Sequence, residues 1–114
     1  MNKIVYIAHP IGGDVQGNVQ KLQDIYREIS LTDALVTPFI PYIASVQSLK
    51  DEEPIERFIG FRHNHEFFSR NIIDEVWLYG PRISPGMQVE IQWAMKYGIP
   101  VISKTEGTQF NQQL

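Results

Sequence analysis

The chain is 114 residues long, 43% hydrophobic and free of cysteine, and it carries a net charge of -3. That length suits one domain across residues 1–114, with enough apolar residues for one core. The lack of cysteine excludes disulfides, thiolate metal sites and a cysteine nucleophile, and the acidic balance supplies no global basic field for a nucleic-acid polymer.

Met1-Asn2-Lys3 leads directly into a strand pattern, so no signal peptide is expected. No apolar run approaches the roughly 18 residues of a membrane span, and a cytoplasmic protein without a membrane partner is expected. Ile4 to Ala8 is a continuous apolar run that suits a strand buried on both faces of a parallel sheet. His9-Pro10-Ile11-Gly12-Gly13-Asp14 follows as a loop. It is neither a Walker loop nor a dinucleotide fingerprint. Its backbone N–H groups can hold an anion, or it can serve as a plain turn. A helix is expected from near Asn18, with Val19, Leu22, Ile25, Tyr26 and Ile29 on its buried face.

Leu35 to Ile40 reads as a second strand, which Pro38 assigns to a sheet edge because proline lacks a ladder donor. Residues 41–50 show no periodicity and read as a loop. Asp51, Glu52 and Glu53 before Pro54 signal a helix start. That helix should run to about Arg70 with Ile55, Phe58, Ile59 and Phe68 buried. His63 and His65, two apart, point in different directions on it, and Glu66 does not repair that geometry. No metal is therefore expected.

Glu75 to Tyr79 is the third strand, with Asp74 at its entrance. Ser84 can cap the next helix and Pro85 suits its first position, with Met87, Ile91, Ala94 and Met95 as its apolar face. Gly98 is placed to end it, before a fourth strand from Ile99 to Ile102 and a polar, mobile tail from Ser103 to Leu114. Gly86 leaves the first helical turn open to a ligand. Glu90, one turn further in, either faces a pocket or is a solvated helix glutamate.

Four alternations of strand and helix predict an α/β fold of three layers. Its parallel sheet of about four strands, flavodoxin- or Rossmann-like, has the order 2-1-3-4 and helices on both faces. Strands 1 and 3 then flank the switch point where such folds bind ligands. This brings the loops at His9 to Asp14 and Gly80 to Ser84 to one crevice.

Tyr6-Ile7-Ala8-His9-Pro10, Pro38-Phe39-Ile40-Pro41, Asp74, Ser84-x-Gly86-x-x-x-Glu90, Ala94 and Gly98-Ile99-Pro100-Val101 occur in that order along about the whole chain. In this the sequence resembles the nucleoside 2-deoxyribosyltransferase-like superfamily, which includes nucleoside 5′-monophosphate N-glycosidases. The resemblance implies that Glu90 attacks the anomeric carbon of a nucleoside and that Asp74 contacts the base and helps protonate it. Where that family has serine at the position of Ser84, the serine holds a 5′-phosphate; transferases on free nucleosides often carry aspartate there. Tyr6, His9, Gly12, Gly13, Ser84, Gly86 and Met87 are the expected substrate-binding residues, and no cofactor is needed. Cleavage of an N-glycosidic bond creates an oxocarbenium-like sugar that a carboxylate can capture. Hydrolase and transferase both use that step and are not separable here. A non-catalytic nucleotide-binding module of the same fold is the alternative. The resemblance also implies a homo-oligomer, for which Phe58, Phe61, Phe67, Phe68 and Trp93 offer more aromatic surface than single buried helix faces need.

Overall fold

The computed structural model of the chain describes residues 2–110. Strands β1 (Lys3–Ala8), β2 (Val36–Phe39), β3 (Glu75–Leu78) and β4 (Val101–Ser103) form one parallel sheet in the order β2-β1-β3-β4. Helices α1 (Val15–Thr32), α2 (Ile43–Ser48), α3 (Pro54–Ser69) and α4 (Pro85–Lys96) connect them. The expected three-layer architecture and strand order are those observed. Among the described residues, no helix is long and apolar enough to cross a membrane.

β1 divides the two cores. Successive strand side chains point to opposite faces. Val5 and Ile7 pack with Leu22 and Ile29 of α1, while Tyr6 and Ala8 pack with Phe68 of α3 and Met87, Ile91 and Ala94 of α4. All four of these β1 residues are fully buried. Pro38 lies in β2, the edge strand, as its missing donor requires.

The start of α1 and both ends of α4 have local causes. Asp14 caps α1 by accepting from Gly17 N at 3.1 Å, so the helix begins at Val15 and not near Asn18. Asn18 is instead buried, and its amide donates back to Ile11 O at 2.9 Å, tying the helix to the loop after β1. Ser84 caps α4 by accepting from Met87 N at 3.2 Å. At the other end of α4, Gly98 has a φ of 71°, its N–H reaches Met95 O, and Ile99 N–H reaches Ala94 O. That paired bond is a Schellman ending, which needs a residue at ease with positive φ.

Four expectations need correction. The stretch without periodicity contains α2, a helix of six residues, too short to show a period. On α3, Ile55 and Phe58 are 75% and 66% exposed, and the buried residues are Asn64 and Phe68, four apart on one face. That face contains a polar residue, so hydrophobicity alone points to the wrong side of the helix. Tyr26 of α1 is likewise exposed, at 44%. The polar stretch after Ser103 is packed and not free: Thr108 is fully buried and Phe110 packs against the core beside α4. Thr108 Oγ1 donates to Leu78 O at 3.2 Å, and Thr105 Oγ1 donates to Gly80 O at 2.7 Å. Residues 111–114 of the expected tail lie outside the described residues.

Gly80 joins the two loops at the switch point. Its φ is 101°, and a Cβ there would stand 2.6 Å from Pro10 Cδ. Gly80→Ala should therefore lower stability by about 1–3 kcal/mol or more. Urea unfolding followed by circular dichroism measures this; an unchanged midpoint and slope would contradict the packing described.

Candidate functional site

The loops after β1 and β3, α2, the start of α3 and the N-terminal half of α4 enclose a cleft of about 510 Å³. It opens at the carboxyl ends of the strands, where parallel sheets bind ligands. His9 and Gly12 come from the first loop, Arg82 and Ser84 from the second, and Gly86, Met87 and Glu90 from α4. Sequence reasoning brought these loops together correctly.

Glu90 is the chemical centre of this wall. It is 8% exposed. Tyr6, on the central strand, donates its hydroxyl hydrogen to Glu90 Oε2. Asn64 of α3 donates from Nδ2 to the Tyr6 hydroxyl at 2.6 Å and lies 3.4 Å from Glu90 Oε2. Both contacts converge on one carboxylate oxygen and leave Oε1 for the cleft. Burial raises the Glu90 pKa to about 7, against the lowering effect of the bonds from Tyr6 and Asn64. Burial together with the neighbouring carboxylate holds the Tyr6 phenol well above its ordinary range. Tyr42 is raised the same way and donates its hydroxyl to Ile7 O at 2.6 Å.

The rest of the wall is mixed in charge. His9 is buried and its Nδ1 lies 2.7 Å from Pro10 O, so that nitrogen carries the proton and Nε2 is an acceptor. Burial lowers its pKa, which makes it neutral at pH 7. Lys50, Arg57 and Arg82 stand against Asp51, Glu52 and Glu56, and Arg57 pairs with Asp51 at 3.8 Å. Near the cap of α4, a Cβ on Gly86 would have only Ser84 Oγ within 4.0 Å, so the helix N-terminus is open to the cleft.

Two expected site residues lie elsewhere. Asp74 is exposed and accepts from Ile4 N at 2.8 Å. It precedes β3, so it sits at the amino end of the sheet, opposite the cleft. In a parallel sheet, a residue before a strand and the loop after it cannot share a crevice. Gly13 is outside the cleft wall and makes the turn before α1 with a φ of 92°. Tyr6 contributes from beneath the wall, through Glu90. His63 is exposed, and His65 packs on Trp93 and bonds the Tyr97 hydroxyl at 2.9 Å. Among the described residues, no three His, Cys, Asp or Glu side chains are grouped to hold a metal ion.

The residues missed from sequence are Asn64 and Tyr42. The signal for Asn64 was weak but present. It lies four residues before Phe68, so a buried Phe68 implies a buried Asn64 on a straight helix.

A family model described as "Domain of unknown function (DUF7768)" matches residues 3–104. No curated protein matches the chain. A crystal structure of a conserved protein from Enterococcus faecalis V583 is similar with a TM-score of 0.61 and 19% identity, over 90% of this chain and 63% of that one. At that identity the likeness concerns the fold. This chain spans about 63% of the length of that neighbour.

The Glu90 pKa has a consequence for stability. In the unfolded chain an ordinary glutamate loses its proton near 4.5, whereas the folded protein holds it to about 7. The folded state is thus favoured fully below the lower value, and this advantage is lost as pH rises through the upper one. Wild type should lose stability relative to Glu90→Gln between pH 4 and pH 8, on the order of 3 kcal/mol. Urea unfolding of both proteins across that range measures it; parallel pH profiles would contradict the buried carboxylate.

Proposed function

The chain belongs to the DUF7768 family, and we propose that it cleaves or transfers the N-glycosidic bond of a nucleoside or its 5′-monophosphate, with Glu90 as nucleophile. One observation carries this reading: a buried carboxylate on the cleft wall, held by the Tyr6 hydroxyl and the Asn64 amide with one oxygen left over. The sequence resemblance to nucleoside 2-deoxyribosyltransferase-like proteins supports it at Glu90, Ser84 and Gly86.

In the proposed step, Glu90 Oε1 bonds to the anomeric carbon as the carbon–nitrogen bond breaks, and the electron pair leaves on the base. The base takes a proton from a water in the open cleft, because Asp74 is at the other end of the sheet, and the hydroxide this leaves is neutralised by the proton set free in the second step. Water or a second base then displaces the glycosyl ester and regenerates the carboxylate. Neutral His9, on the same cleft wall, can accept the proton that water releases in that second step. Tyr6 and Asn64 fix the rotamer of Glu90 and stabilise its anionic form.

A 5′-phosphate suits the end of the cleft at α4. The first N–H groups of a helix lack intrahelical partners and favour an anion. The Ser84 oxygen accepts from Met87 N, which leaves its hydroxyl hydrogen to donate. Arg82 lines the same end. If copies of the chain assemble, Ile55 and Phe58 on α3 are among the exposed apolar side chains available for that contact.

A module that holds a nucleotide without cleaving it is the second reading. One observation favours it: among the described residues, the only titratable side chain bonded to Glu90 is Tyr6, whose phenol is no acid at neutral pH.

Incubation with nucleosides and their 5′-monophosphates, with and without an acceptor base, scored for free base, tests the proposal. Release is expected from monophosphates in preference to nucleosides. Glu90→Gln should lower it by about a thousandfold or more with the fold intact. The nucleophile must be ionised, so kcat/KM should rise with pH and level off above about 7. Ser84→Asp, which still caps the helix, should weaken binding of the monophosphate far more than of the nucleoside. A Glu90→Gln variant as fast as wild type would remove Glu90 from the mechanism.

A further inference from the structure

The loop after β3 is gripped from behind by the turn that follows β4. The two strands bond in a regular series, in which Val76 N meets Pro100 O and Lys104 N meets Leu78 O, each at 2.9 Å. The next acceptor in that series is Gly80 O, but β4 ends at Ser103 and the chain bends into a short 3-10 turn at Glu106–Thr108. The Thr105 hydroxyl stands in for the missing backbone donor and reaches Gly80 O at 2.7 Å. Thr108, fully buried, lies 2.9 Å from Thr105 Oγ1 and 3.2 Å from Leu78 O, and so backs that hydroxyl. Gly107 packs on the next peptide, where a Cβ would collide with Pro81 O. On its other side Gly80 abuts Pro10, of the loop after β1. Gly80 and Pro81 are thus held from two sides. Arg82 and Ser84, which line the cleft, extend from that fixed point. Arg82 forms no ion pair among the described residues.

We propose that Thr105 and Gly107 are positioning residues for the anion-holding end of the cleft: they set where Arg82 and the first turn of α4 stand relative to Glu90. This rests on the reading of that end as the place of a 5′-phosphate. A binding group works only when it is held within about 0.5 Å of its productive geometry. Glu90 needs no help from the turn, because Tyr6 and Asn64 hold it. The body of α4 is likewise held by Met87, Ile91 and Ala94 in the core. The loop that enters α4 has no such anchor in the core, and the hydroxyl of Thr105 and the bare Cα of Gly107 supply one. Thr105 is only half-buried, so loss of its hydroxyl loosens the loop without emptying the core. The effect therefore falls on the phosphate and spares the rest of the ligand.

Calorimetric binding of AMP, GMP, CMP and UMP and of the four matching nucleosides tests this in wild type, Thr105→Val, Thr105→Ser and Gly107→Ala. Valine keeps the shape of threonine and removes the hydroxyl. Thr105→Val should weaken the monophosphate that wild type binds best by about fivefold to tenfold, the worth of one hydrogen bond, and leave its nucleoside within about twofold. Serine keeps the hydroxyl, so Thr105→Ser should bind as wild type does. Gly107→Ala pushes the loop directly and should repeat the pattern of Thr105→Val or exceed it. A merely structural turn would move both ligands alike or neither. Equal losses for nucleotide and nucleoside, unchanged monophosphate binding in Thr105→Val and Gly107→Ala, or a loss in Thr105→Ser as large as in Thr105→Val would each overturn the proposal. If Thr105→Val does not fold, Thr105→Ser and Gly107→Ala still decide. Wild type shows separately whether the phosphate reading holds: no preference for monophosphates there sinks that reading and this inference with it, whereas a preference that the variants keep sinks this inference alone.

Discussion

A carboxylate buried between a sheet and two helices constrains the whole of this structure. Taking Glu90 out of water is costly unless donors meet it. The donors come from the two elements that pack on its helix: Tyr6 from the central strand and Asn64 from α3. Each residue is at home only if the other two are present. Without Glu90, the Tyr6 hydroxyl would lose the carboxylate it donates to. Without Tyr6, Asn64 would have no reason to sit on the face that also carries Phe68. The core around them is aromatic, with Tyr6 and Phe68 rings 4.8 Å apart and Phe68 and Trp93 rings 5.3 Å apart. The polar cluster is thus embedded in packing that resists its rearrangement.

This arrangement explains what was legible in the sequence. Continuous apolar runs and capping residues act locally, so β1, β3 and α4 could be read from Ile4 to Ala8, from Glu75 to Tyr79 and from Ser84 with Pro85 and Gly98. The edge position of β2 followed from a single missing N–H at Pro38. The buried face of α3 could not be read the same way, because it is chosen by Tyr6 and Glu90, both distant in sequence. A helix that buries an asparagine and exposes Ile55 and Phe58 has little amphipathic pattern to detect. The packing of residues 104–110 depends similarly on hydroxyl bonds to Leu78 O and Gly80 O, which leave no hydrophobic trace.

Of the expected site, Glu90, Ser84, Gly86, Met87, His9 and Gly12 share the cleft because the strand order delivers their loops to one end. Asp74 fails by the same rule. A strand of four residues spans roughly 13 Å, and Asp74 stands before one while the cleft lies beyond it. Its carboxylate instead takes the N–H of Ile4, an amide at the sheet's amino end. The resemblance assigned it a chemical role by position in a motif; the backbone assigns it a structural one.

The direction of hydrogen bonding finally sets what Glu90 can be. Asn64 donates to Tyr6 and Tyr6 donates to Glu90, so every hydrogen in the cluster points toward Oε2. Such a chain favours the ionised carboxylate, whereas burial favours the neutral one, and the two effects leave the pKa at about 7. A glutamate in water at that pH would be fully charged but shielded by solvent. Here the charge is held by two neutral donors on one oxygen and faces the cleft with the other. A ligand that fills the cleft removes water from that second oxygen, and there a developing positive centre would find an unscreened partner.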